Sequence, residues 1–257
     1  MDLWQAVVLG ALQGIFEWLP VSSQGQMMGL AIAFFKLSAE YALRYAVMLH
    51  AGTLLAATIY FRKELAELLQ LKNKQLLKFL LIALASTAIT AIPCYLLLKA
   101  ILSYNPFFLL LFIGLFLILT GISQKSKGIK KRAELTKINA FFLGLAQGLS
   151  VLPGISRSGI TTATLLFEGF KPEQAFRLSF ILSIPSILLA ELAFAAFESV
   201  VIDFNAIVAL LVAFLLGFLL IDFLLKIAKR ASFSKFCIAF GSLYIAIALV
   251  EATAIFQ

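Results

Sequence analysis

The sequence predicts an all-α integral membrane protein with an inverted-topology repeat, built from six transmembrane helices plus two re-entrant helical hairpins. Three observations predict it. The 257 residues are 62% hydrophobic and only 13% charged, with a mean hydropathy of +1.03. Soluble domains are about 45–50% apolar and about 25% charged. Several windows of about 20 residues are almost free of charge, the length that crosses a hydrocarbon core of roughly 30 Å. Finally, Leu9-Gly10-Ala11-Leu12-Gln13-Gly14 returns as Leu143-Gly144-Leu145-Ala146-Gln147-Gly148, an offset of 134 residues.

The elements follow in chain order. Residues 3–35 are apolar but broken near the middle by Leu19-Pro20-Val21-Ser22-Ser23-Gln24-Gly25-Gln26. Neither side of the break is long enough to cross comfortably, so the stretch reads as a re-entrant hairpin. Irregular backbone at that depth is tolerated only when buried in protein or lining a wet cavity. Full spans are expected over 42–61, 76–98 and 106–123. A second hairpin is expected over 138–168, broken at Leu152-Pro153-Gly154-Ile155-Ser156-Arg157-Ser158, and further spans over 174–197, 206–225 and 236–255. The repeat continues past the first motif: Pro20 pairs with Pro153, Ser22 with Ser156, and Leu43-Arg44 with Phe176-Arg177, at offsets of 133–134. The first repeat is therefore residues 1–133 and the second 134–257, each a hairpin plus three spans. Three is odd, so the second copy is inverted.

Charge tests that topology independently. With the N-terminus on one side, 17 of the 21 basic residues fall on the other. They include Arg62, Lys63, Lys72, Lys74, Lys78, the loop with Lys125, Lys127, Lys130, Lys131 and Arg132, then Lys137, Lys171, Arg177, Lys226, Lys229, Arg230 and Lys235. By the positive-inside rule that side is cytoplasmic and both termini face outside. A missed span would scramble the segregation. The same loops account for the net charge of +8, so no nucleic acid is expected as a partner. No cleavable leader is expected, for want of a basic segment and small-residue cleavage site. Cys94 and Cys237 lie in apolar stretches and read as buried thiols rather than a disulfide framework.

Inverted repeats with interrupted helices place a site near the midplane, where the breaks meet. Glu17 lies beside the first break, and a carboxylate at bilayer depth costs at least about 2.5 kcal/mol, so it calls for a partner or an ion. Gln13 lies four residues earlier on the same helical face, and Ser22, Ser23, Gln24 and Gln26 follow. The bland reading is that these groups satisfy backbone freed by Pro20. At the second break, Gly154 permits close approach. The turn into a helix N-terminus offers backbone amides to an anion. Arg157 adds a fork suited to phosphate, and Ser156, Ser158, Thr161 and Thr162 add hydroxyls. Here the bland reading is that Arg157 merely neutralises Glu17, which would still bring the tips together. A carboxylate, an Arg, hydroxyls and oriented amides in a greasy shell fit a lipid-linked phosphate. Glu17 and Gln13 could supply hard oxygens to Mg²⁺ or Ca²⁺, with Ser22, Ser23 or a water attacking phosphorus. His50, the single histidine, sits inside a span, either as a hydrogen-bonded packing residue or facing the tips. Asp222 could pair with Lys226.

At these tips the sequence resembles the undecaprenyl-diphosphate phosphatases of the bacitracin-resistance type. Gln13-Gly14-Ile15-Phe16-Glu17-Trp18-Leu19-Pro20-Val21-Ser22-Ser23 and Pro153-Gly154-Ile155-Ser156-Arg157-Ser158-Gly159-Ile160-Thr161 carry the resemblance. Leu49-His50-Ala51-Gly52-Thr53-Leu54-Leu55-Ala56 and Tyr60-Phe61-Arg62 also look typical. The resemblance covers nearly the whole chain. It implies removal of the terminal phosphate from a C55 polyprenyl diphosphate, recycling a carrier lipid in the cell membrane. It further implies Glu17 and Gln13 at a metal, Ser22 or Ser23 as nucleophile or support, and Gly154, Ser156, Arg157, Ser158 and Thr161 on the diphosphate. One position departs: family members usually carry histidine where this chain has Gln26, which is expected to bind the substrate because it can hydrogen-bond but not act as a general acid or base. The alternative function, from the repeat architecture, is a polyprenyl-phosphate flippase or transporter without hydrolysis. Apolar surfaces facing membrane lipids and facing a second subunit look alike in sequence, which leaves a homo-oligomer open.

Overall fold

The structure is a computed structural model that describes residues 1–102, 106–124, 134–198 and 203–255. Among the described residues it is all helix. α1 (Leu3–Phe16) and α2 (Ser23–Ala33) flank the first break, and α7 (Lys137–Gly148) and α8 (Arg157–Phe167) flank the second. Between them run α3 (Ala39–Tyr60), α4 (Arg62–Leu69), α5 (Lys74–Leu102) and α6 (Pro106–Ser123). After them come α9 (Pro172–Phe197), α10 (Phe204–Arg230) and α11 (Ser234–Ile255). The expected breaks and long helices are all present. One helix was unanticipated: α4, where the charged run after Tyr60 forms two amphipathic turns instead of an open loop. The basic loop with Lys125, Lys127, Lys130, Lys131 and Arg132 lies outside the described residues.

Helix starts are fixed by side chains that accept orphaned amides. Ser38 accepts from Tyr41 N, Thr136 from Asn139 N, and Asp203 from Ala206 N at 2.7 Å. Pro93 and Pro185 lie inside α5 and α9, as apolar membrane helices tolerate.

Five helices, α3, α5, α9, α10 and α11, are long and apolar enough to cross a bilayer. α6 is shorter, at 18 residues. Large apolar side chains point outward along them: Ile89, Ile92 and Leu96 on α5, Leu188 and Leu192 on α9, Leu215 and Leu219 on α10. Apolar surface on that scale is the surface of a multi-pass membrane protein.

Between apolar helices in lipid, close approach through small residues supplies the adhesion. α1 lies on α10 so tightly that a Cβ on Gly10 would stand 2.3 Å from Ala209 O. α7 lies equally close on α5, where a Cβ on Gly144 would stand 2.1 Å from Ala83 O. Each break therefore hangs from a helix that cannot slide without losing its seat. Two buried apolar clusters surround the breaks. One gathers Met27, Tyr45, Leu49, Ile113 and Tyr244, and takes Leu152 from the second break. The other gathers Phe61, Phe79, Phe180 and Leu224, and takes Trp18, Leu19 and Val21 from the first.

Candidate active site

The site begins at the last turn of α1. Gln13 is fully buried and Glu17, one turn later, is 6% exposed. An ionised carboxylate removed from water must be paired and hydrogen-bonded, and Glu17 is. Its Oε2 accepts from Ser23 Oγ at 2.7 Å and from Gln13 Nε2 at 3.1 Å. Its Oε1 accepts from Arg157 Nη2 at 2.5 Å. His50 Nε2 lies 3.5 Å from Oε2. Gln13 Nε2 also donates to Thr53 Oγ1 at 3.0 Å, which pins the amide between α1 and α3.

The turn after Glu17 folds because the chain reverses at Pro20 and Ser22. Ser22 takes a left-handed conformation, φ 58°, which costs a non-glycine residue roughly 1–2 kcal/mol. Two amides offset that cost: Ser22 Oγ accepts from Gly25 N at 3.3 Å and from Gly154 N at 3.1 Å. The second of these crosses to the other break. Gly154 itself has φ 105°, and a Cβ there would stand 2.6 Å from Ile113 O, so glycine is required twice over. Ser156 caps α8 through Gly159 N at 3.1 Å, and Arg157, the first helical residue, reaches Glu17. Ser158 Oγ donates to Leu19 O at 3.1 Å. The two breaks are thus joined by Arg157–Glu17, Ser22–Gly154 and Ser158–Leu19, as the expected neutralisation of Glu17 requires.

His50 faces the tips. Its Nδ1 lies 2.7 Å from Ala46 O; a carbonyl only accepts, so Nδ1 carries the hydrogen and Nε2 is turned toward Glu17. Thr161 is fully buried, its hydroxyl shared between Arg157 O at 2.7 Å and Ser179 Oγ at 2.6 Å. It supports the turn that presents Arg157. Gln26 does not join the others. Its Oε1 accepts from Tyr244 Oη at 3.2 Å and its Nε2 donates to Val21 O at 3.4 Å, because α2 packs that face against α11. Asp222 pairs with Lys226 Nζ at 2.7 Å, as expected, and also accepts from Tyr60.

Three residues at the site went unread in the sequence. Thr53 holds Gln13; its signal was the repeat, since Ser186 stands 133 residues later. Phe180 packs under Arg157, its ring centroid 5.6 Å from the guanidinium carbon, and 5.8 Å from the ring of Trp18; a cation over a ring has no sequence spacing to reveal it. Thr120 is the third, hydrogen-bonded to the second break.

Several buried polar atoms have no hydrogen-bond partner among the described residues: Gln13 Oε1, Trp18 Nε1, Arg157 Nη1 and Thr162 Oγ1. Such groups cost about 1–3 kcal/mol each when unpaired, so a ligand or water is expected on them. Arg157 Nη1 would serve a phosphate oxygen. Gln13 Oε1 and the open lone pair of Glu17 Oε1 are hard oxygens that would suit Mg²⁺ or Ca²⁺. No group of three or more His, Cys, Asp or Glu side chains gathers among the described residues. A cation here would therefore draw its remaining ligands from water and phosphate, the habit of Mg²⁺.

Comparison with known proteins bears on the same residues. The family profile described as "Bacitracin resistance protein BacA" matches residues 6–243. A protein of Methanococcoides burtonii named "Undecaprenyl-diphosphatase" is 38% identical over 259 residues, covering 95% of this chain and 97% of its own. A protein of the same name from Methanothrix thermoacetophila is 39% identical over 251 residues, covering 96% and 97%. One from Haloarcula marismortui is 37% identical over 255 residues, covering 93% and 94%. A profile that takes in both breaks, together with full-length relatives at this identity, places the chain in the bacitracin resistance protein BacA family.

Proposed function

We propose that this chain hydrolyses undecaprenyl diphosphate to the monophosphate and inorganic phosphate, returning a carrier lipid for cell-envelope glycan synthesis. The observation that carries the reading is the Glu17–Arg157 contact across two helix breaks, with Arg157 Nη1 and Gln13 Oε1 left unpaired beside it. The relatives named undecaprenyl-diphosphatase support the substrate.

Each residue has a task in that reaction. Ser23 Oγ already donates to Glu17 Oε2, so Glu17 takes the proton from Ser23, or from a water in its place, as the oxygen attacks the terminal phosphorus; on the serine route a water, deprotonated by Glu17, then cleaves the Ser23–phosphate bond, releasing inorganic phosphate and returning the proton to the serine oxygen. The P–O–P bond breaks and its electrons leave with the lipid monophosphate. Arg157 holds the charge that spreads over the transferred phosphoryl oxygens. Ser22, committed to two amides, holds the tips in register and leaves Ser23 as the better nucleophile. His50 Nε2, fixed through Nδ1, stands where it can relay the proton from Glu17. Gly154, Ser156, Ser158 and Thr161 shape the diphosphate cradle. Gln13 and Glu17 would hold Mg²⁺ or Ca²⁺, which when bound screens phosphate charge.

The architecture belongs to the same proposal: an inverted repeat of residues 1–133 and 134–257, six spans with two re-entrant hairpins, and both termini outside. Its supports are the sequence offset and the segregation of basic residues.

The test is phosphate release by the purified full-length protein in detergent, given a C55 polyprenyl diphosphate and Mg²⁺ or Ca²⁺. Release that EDTA abolishes, and that Glu17→Ala and Arg157→Ala each lose, is the expected result. A folded protein that binds the lipid but releases no phosphate would sink the reading, and lipid movement between leaflets would then favour a flippase.

A further inference from the structure

One helix touches both breaks. Thr120, 5% exposed, lies in the last turn of α6. Its Oγ1 donates to Gly154 O at 2.9 Å and accepts from Ser156 N at 3.2 Å. A single hydroxyl therefore spans the turn just ahead of Arg157. Four residues on, Gln124 Nε2 donates to Pro20 O at 2.6 Å. Gln124 Oε1 accepts from Phe233 N at 3.0 Å, which ties the same amide to the segment before α11. The thiol of Cys237 makes a longer contact with the Pro20 carbonyl, 3.5 Å. Gln124 is one residue past α6, yet its amide still donates to Thr120 O at 3.4 Å, and four helical residues rise about 6 Å, so the end of α6 grips the two breaks at a set spacing. Neither Thr120 nor Gln124 bonds Glu17, Ser23 or Arg157.

We propose that Thr120 and Gln124 are positioning residues of the reaction, a two-pronged clamp at the end of α6 that keeps Arg157 and Ser23 on the two oxygens of Glu17. Without Thr120 the turn carrying Arg157 loses both its fixed carbonyl and its fixed amide. Without Gln124 the Pro20 carbonyl, three residues before Ser23, keeps only a thiol. A displacement of about 1 Å by residues remote from the chemistry can cost about 10²-fold in rate. The kinetic part of this inference rests on the phosphatase reading; the geometric part does not, and the experiment reads the two separately.

The variants are Thr120→Val, which keeps the shape and removes the hydroxyl, Thr120→Ser, which restores it, and Gln124→Leu. Thr120→Val and Gln124→Leu should each lower kcat about 10- to 100-fold with KM within about threefold. Thr120→Ser should recover most of the rate.

The geometric readout is Trp18, 1% exposed in the first break. The chain has two tryptophans, so Trp4→Phe leaves Trp18 as the sole tryptophan, excited selectively at the red edge where tyrosine does not absorb. Acrylamide quenching of Trp18 should rise in Thr120→Val and Gln124→Leu and return with Thr120→Ser. Folded variants with unchanged quenching overturn the clamp, as does a kcat loss that Thr120→Ser fails to recover. Quenching that responds in a protein releasing no phosphate upholds the clamp and sinks the phosphatase reading instead. Should Thr120→Val not fold, Thr120→Ala and Gln124→Asn carry the same two readouts.

Discussion

Gln13 and Gln147 do the same thing with their amide nitrogens, yet only one of them sits at a charged site. Gln13 Nε2 donates to Thr53 on α3 at 3.0 Å. Gln147 Nε2 donates to Thr87 on α5 at 2.9 Å and to Ser186 on α9 at 2.8 Å. Both leave a buried Oε1 unpaired, and both ride on a helix seated against its neighbour by small residues. Four residues on they part: Glu17 follows Gln13, and Val151 follows Gln147. The cation departs in the opposite sense, since Arg157 stands 134 residues after Ser23. Two similar polar frames therefore yield one ion pair, with the anion on one break and the cation on the other. A frame of amides and hydroxyls positions helices; the charges single out one of the two frames as the proposed phosphate site.

That contrast can be broken most directly at Glu17. Glu17→Gln should lower kcat by about 10³-fold or more, the loss of a general base. Adding Val151→Glu should restore none of it, because the repeat places Ser23, not an arginine, opposite Arg157. A double variant regaining a tenth of the original phosphate release would make the two regions interchangeable. A smaller effect comes from the amides. Gln13→Ala should cost about 10- to 100-fold in rate and raise the cation concentration needed for half activity. Gln147→Ala should leave the rate within about threefold and lower stability by about 1–2 kcal/mol, through hydroxyls deprived of a donor. Equal rate losses would end the distinction.

The smallest effect sharpens the same comparison on the α5–α9 side that holds Gln147. Glu198, just past α9, accepts from Lys99 at 2.6 Å and Tyr95 at 2.8 Å on α5. Those hydrogen bonds hold its carboxyl below the usual range. A depressed carboxylate stabilises the fold above its unfolded pKa and loses that contribution as pH falls through the folded value. Acidification from about pH 6 to about pH 3 should therefore lower the melting temperature of the native chain about 1–2 °C more than that of Glu198→Gln. Phosphate release at neutral pH should be unaffected.

What the sequence disclosed was whatever is rare in an apolar chain. Glu17, Arg157 and His50 are costly at bilayer depth, and Pro20, Pro153 and Gly154 interrupt helices, so each could be found without coordinates. Thr120 and Gln124 could not. A hydroxyl in an apolar helix ordinarily returns its hydrogen to a carbonyl in the preceding turn, as Thr58 and Thr164 do here, and nothing in the sequence marks the exceptions. Gln26 shows the converse. Its place in the motif pointed to the phosphate, but α11 packs against α2 and Tyr244 claims its amide oxygen. Helix extents were legible to within a few residues. α10 runs on to Arg230, where Lys226, Lys229 and Arg230 extend it past its apolar stretch.

The seat of α1 on α10 also sets an order of events at the ribosome. α7 finds α5 already made, but α10 begins about 190 residues after α1 ends. At roughly 5–20 residues per second, that is an interval of about 10–40 s. Throughout it, Gly10 has no neighbour to nestle against, and for most of it Glu17 has no Arg157. Glu17 lacks its guanidinium partner until Arg157 emerges, about three fifths of the way along the chain. Chains released before Arg157 would keep an unpaired acid, and chains released before Phe204 an undocked α1.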